Sequence, residues 1–163
     1  MEQELLDQAE RLIKWEGVDQ IDFRRAVSNI YYSLFHALSK NTADCFIGKP
    51  NIDRCERAWI QTYRALSHTA AKTACEKSYN PNLDYNFPDE IKRFARFFTN
   101  QQEARHRADY NPAAKFQFKE VQGMIEGARK AIETFERAPE KHRRAFSALV
   151  VFQERTKGLL PKA

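Results

Sequence analysis

Apolar side chains recur along this chain at steps of three and four residues, the spacing that lines up one face of an α-helix. Leu5, Leu6, Ala9, Leu12 and Ile13 predict a first helix over residues 2–16, interrupted at Gly17. Asp19 or Asp22 then suits the cap of a second, over 22–43, whose core face is Val27, Ile30, Tyr31, Leu34 and Leu38. Residues 48–51, Gly-Lys-Pro-Asn, read as a loop. A third helix is predicted over 53–77, with Trp59, Tyr63, Leu66, Ala70 and Thr73 in one stripe, followed by a long polar surface loop over 78–87. Pro88 suits the start of a fourth helix, which carries Ile91, Phe94, Ala95 and Phe98 and ends near Tyr110, because Asn111-Pro112 disfavours continuation. Phe118, Val121, Ile125, Ala128, Ile132 and Phe135 predict a fifth over 116–137, and Pro139 opens a last one through Phe146, Leu149 and Val150. No segment alternates at period two. The expected fold is an all-α bundle of five to six helices, one domain over the 163 residues.

Composition narrows this picture only a little. Five glycines and six prolines are too few for the frequent turns of an all-β protein. The longest apolar runs, such as Ala148 to Phe152, are far too short to span a bilayer, and the acidic start Met1-Glu2-Gln3-Glu4 is unlike a signal peptide. Cys45, Cys55 and Cys75 form no closely spaced pair, which fits reduced thiols and a cytoplasmic location. The net charge of +5 suits a polyanionic partner, although the basic residues are dispersed, with one cluster at Lys141 to Arg144.

Two polar features depart from an ordinary bundle. On the second helix Arg25, Asn29, Tyr32 and His36 share a stripe nearly opposite the Val27/Ile30/Leu34 face. Lys and Glu would fill a plain solvent face; this set suits either a hydrogen-bonded brace or subunit contact, or a site. On the fourth helix the apolar stripe runs on into Gln102, Arg105 and Asp109. Arg105 and Asp109, four apart, form either a simple structural pair or part of a cleft or interface. On the third helix Arg64, His68, Ala71 and Cys75 face away from Trp59 and Leu66, with His68 read as a packing histidine. The histidines at 36, 68, 106 and 142 have no ligand-type helical partner, and there is no phosphate loop, GxSxG or HExxH, so neither a metal nor a cofactor is expected.

The segment Asp22 to Ala37, DFRRAVSNIYYSLFHA, resembles the RAxSRAYYAxFHA helix of one large branch of bacterial and archaeal HEPN domains. Arg105 to Pro112, RHRADYNP, resembles the RxxADYDP segment of the same branch, in the same order and at a similar separation. The resemblance implies a helical bundle, usually dimeric, that binds or cleaves RNA without a metal. Its expected settings are toxin–antitoxin and phage-defence systems, with a cognate antitoxin or a minimal nucleotidyltransferase as partner. Catalytic members carry Arg, four to six residues, then His, a pair suited to activating a ribose hydroxyl and stabilising phosphate charge. Here Asp109 follows Arg105 where such a member has His, and the Arg137–His142 spacing match is broken by Pro139. The candidate catalytic residues are therefore Arg105, Asp109 and His36, and the candidate RNA-binding residues Arg25, Asn29 and Tyr32. The alternative expectation is a non-catalytic dimeric interaction module, an antitoxin or scaffold partner.

Overall fold

Asp19 begins the longest element of the fold. Its carboxylate accepts from the backbone N–H groups of Ile21 and Asp22, while the Asp22 carboxylate accepts from the Asp19 N–H. This reciprocal capping box satisfies donors that the first helical turn leaves open. The helix it starts, α2 (Gln20–Ile47), is one of seven in the computed structural model, which describes residues 1–50, 53–83 and 85–152. The others are α1 (Glu2–Lys14), α3 (Glu56–Arg64), α4 (His68–Ser78), α5 (Asp89–Tyr110), α6 (Phe118–Arg137) and α7 (Glu140–Val151). Among the described residues there is no strand, as the periodicity predicts. None of these helices is long and apolar enough to cross a membrane.

Helix α2 is the axis of the bundle, in contact with α1, α3, α5, α6 and α7. Its predicted face is fully buried: Val27, Ile30, Tyr31, Leu34 and Leu38 have no exposure. They pack with Ile91, Phe94, Ala95 and Phe98 of α5 and with Val121, Ile125, Ala128 and Phe135 of α6. The Phe94 and Phe135 rings stack at 4.3 Å, and α6 comes close to α5 at Gly127, where a Cβ would lie 2.6 Å from the Phe97 ring. Helix α2 runs four residues beyond the expected end and stops at Gly48, whose φ of 116° suits a residue without a Cβ.

Two expectations need correction. The single helix predicted over 53–77 is two, because the Ser67 hydroxyl accepts from the Ala70 N–H and starts α4 afresh. Phe118, placed on the core line of α6, is 40% exposed, while Phe116 just before the helix is buried. Between α4 and α5 the described part of the 78–87 segment is non-helical apart from Ser78, with Asp84 outside the described residues.

Candidate functional site

The two segments that stand out in the sequence meet in space. Arg24 of α2 reaches across to the C-terminal end of α5. Its Nη1 donates to the Ala108 carbonyl at 2.6 Å, and its Nη2 lies within 3.1 Å of the carbonyls of Asn111, Pro112 and Ala114. A helix C-terminus leaves carbonyls without intrahelical donors and carries partial negative charge, so one guanidinium satisfies several acceptors at once. Asn111 shapes the turn that follows, its side-chain oxygen accepting from the Ala113 N–H. Gln20 fastens the far side through paired hydrogen bonds with the Phe116 backbone, both 2.9 Å. One turn along α2, Ser28 Oγ donates to Asp109 Oδ1 at 2.8 Å.

This clamp fixes a seam between α2 and α5. In it Arg105 Nε stands 2.5 Å from Asp109 Oδ2, with side-chain exposures of 22% and 27%. The contact is an ion pair by proximity: the Arg105 Nε–H has no aligned acceptor. Arg105 Nη2 donates to the Tyr32 hydroxyl at 3.3 Å, and the guanidinium lies over the rings of Tyr32 and Tyr31 at 5.4 and 5.8 Å. Of the candidate residues, then, Tyr32, Arg105 and Asp109 converge.

The other three do not join them. Arg25 is exposed and has no polar partner among the described residues. Asn29 turns to α1, donating to Gln8 Oε1 at 3.2 Å. His36 belongs to a different contact: its Nδ1 is 2.6 Å from the Tyr63 hydroxyl, with the rings stacked at 5.9 Å. Tyr63 stacks in turn on Trp59, which carries the Arg54 guanidinium at 4.5 Å and donates its indole N–H to Asp44 Oδ1 of α2 at 2.9 Å. This column holds α3, which buries none of its own residues, against α2. Burial lowers the His36 pKa, which keeps the ring neutral in this brace.

His68 at the start of α4 lies nearer the seam than sequence reasoning placed it. Its Nδ1 is 2.7 Å from the hydroxyl of fully buried Tyr31, and its ring sits 4.2 Å from Phe35, 5.5 Å from Tyr31 and 5.9 Å from Tyr32. Gln102, one turn before Arg105, donates to the His68 carbonyl at 3.4 Å. Burial and then the Arg105 charge lower the His68 pKa, whereas desolvation raises that of Tyr31 far above the ordinary tyrosine range. Among the described residues, the buried side-chain atoms without a hydrogen-bond partner are Gln101 Oε1, Gln102 Oε1 and Arg105 Nε, all on one stretch of α5. Their concentration there marks the seam as polar beyond what packing requires.

Arg24 and Ser28 have no part in the site as the sequence reads it, and Tyr31 is read there as a core residue, which it also is. Arg24 and Ser28 are four apart on one face, a spacing that signals them once α5 is known to end opposite. No group of three or more His, Cys, Asp or Glu side chains converges among the described residues. No family model, curated protein or solved structure matches this chain.

Proposed function

We propose that this protein is an RNA-directed module of the HEPN type, acting as a homodimer with endoribonuclease chemistry at the α2–α5 seam. The observation that carries the proposal is the setting of Arg105. Its guanidinium is mostly withdrawn from solvent and steadied through Nε by Asp109 and through Nη2 by Tyr32, while Nη1 has no protein partner among the described residues. Nη1 is therefore the nitrogen left to donate to a phosphate oxygen, and a pre-oriented guanidinium loses little entropy in meeting it. Exposed Arg25 adds charge beside the seam. Support for a homodimer comes from Ile21 and Tyr110, 63% and 67% exposed, on the adjoining ends of α2 and α5. A toxin–antitoxin or phage-defence role rests on the resemblance of the two motif segments alone.

A second reading is favoured by one specific contact. Asp109 already neutralises Arg105, as it would in a non-catalytic interaction module whose seam is a structural brace. Incubating the protein with mixed-sequence RNA, in chelator and in magnesium, separates the two. The nuclease reading predicts cleavage that Arg105→Ala abolishes with the helical spectrum retained. Intact RNA, with no binding by the wild type, gives the interaction module its place.

A further inference from the structure

We infer that His68 is the proton-transfer group of the α2–α5 seam, in the position the sequence assigns to His36. The inference rests on the nuclease reading above and names the residue that completes it. Among the four histidines, His68 alone shares aromatic neighbours with Arg105: Tyr31 and Tyr32 lie 5.5 and 5.9 Å from the imidazole and 5.8 and 5.4 Å from the guanidinium. His36 is committed to Tyr63, and exposed His106, next to Arg105 in the chain but on a different face of α5, lies against Tyr110 at 4.9 Å. His142 lies on α7, away from the seam.

The ring is held for this task. Phe35 and the two tyrosines fix its plane, and Nδ1 is engaged by Tyr31, while Nε2 has no protein partner among the described residues. Tyr31 is buried and stays un-ionised, so it acts as a positioning residue. The Tyr31 contact accommodates either tautomer of the ring; in the one whose Nδ1–H donates to the Tyr31 oxygen, the Nε2 lone pair accepts a proton. The charged and titratable groups around the ring are Tyr31, Tyr32 and His36 of α2 and Arg105 of α5; burial and Arg105 together keep it neutral near pH 7.

A ribose 2′-oxygen forms a bond to the adjacent phosphorus as its proton passes to Nε2 of His68. The bond from phosphorus to the 5′-oxygen breaks; that oxygen keeps the electron pair and takes a proton from water, and the hydroxide left behind takes the proton back from His68. The products are a 2′,3′-cyclic phosphate and a 5′-hydroxyl, with Arg105 opposing the charge that gathers on the phosphate.

The test compares wild type with His68→Asn, whose amide still reaches Tyr31, and with Tyr31→Phe and Arg105→Ala. The probes are a single-stranded oligoribonucleotide and its 2′-deoxy analogue. His68→Asn should slow cleavage by about 100-fold or more while binding the analogue within about threefold of wild type. The wild-type rate should fall on acidification through a value below the ordinary histidine 6.5, and Tyr31→Phe should displace that limb. If His68→Asn cuts at the wild-type rate while Arg105→Ala is inert, the assignment to His68 is wrong and the seam stands. If the wild type does not cut, or Arg105→Ala cuts equally well, the nuclease reading falls and His68 with it.

Discussion

Arg24 donates to the Ala108 carbonyl at 2.6 Å, and through that one contact the start of α2 is locked to the end of α5. The same guanidinium reaches three further carbonyls, so the conformation of residues 111–114 depends on a side chain more than eighty positions earlier. The two segments that look like separate motifs in the sequence are two halves of one joint, and Arg105 and Asp109 are placed by it.

Arg24→Ala should therefore cost more than a surface arginine does. It leaves part-buried carbonyls at a helix end without donors, a loss of about 2–3 kcal/mol. Thermal unfolding should move down by about 5–10 °C, and Arg24→Lys should recover only part of it, because an ammonium lacks the planar fork. An Arg24→Ala melting curve that overlays wild type would show that the joint is not what holds the seam.

The helix faces were legible because burial enforces periodicity. Every α2 position on the Val27-to-Leu38 line is fully buried, and so is the Ile91-to-Phe98 line of α5. The break between α3 and α4 was hidden by the same rule: Trp59, Tyr63, Leu66, Ala70 and Thr73 keep helical spacing across it, and no glycine or proline marks it. Ser67 was the available signal, as a capping residue inside an apparently continuous run. The candidate site was half legible. A stripe on one helix says which residues share a face, and Tyr32 and His36 do; it does not say which neighbouring helix each one meets. Tyr32 meets α5 and His36 meets α3, so the stripe divides between two contacts.

Acid should loosen the bundle in a defined window. The pKa values of His36 and His68 are lowered by burial in the folded state, so the unfolded chain binds protons first as pH falls. Their contribution is complete above the ordinary 6.5 and is lost as pH drops from there through the lower folded values. Asp7, Glu10 and Glu56 have lowered carboxyl pKa values, and their loss comes further into acid, below the ordinary 3.8 and 4.5. Melting temperatures at pH 7 and pH 5 should thus differ less in a His36→Gln, His68→Asn double variant. An equal drop in both proteins would place the acid sensitivity elsewhere.

Self-association should depend on the exposed ends of α2 and α5. Sedimentation at micromolar concentration is expected to give twice the 19.1 kDa chain mass, and Tyr110→Glu to shift it to the monomer. A wild-type monomer would leave Ile21 and Tyr110 as ordinary exposed side chains and remove the dimer from the account.

If Arg105 meets an RNA phosphate, the salt dependence of RNA binding must register its charge. Dissociation constants for a single-stranded oligoribonucleotide are measured between low and physiological salt, for wild type and Arg105→Ala. A guanidinium that neutralises one phosphate contributes about 0.7 to the slope of log affinity against log salt. Arg105→Ala should bind more weakly, with a slope shallower by about that amount for each Arg105 engaged. Equal affinities with parallel slopes, or no binding by the wild type, would contradict that contact.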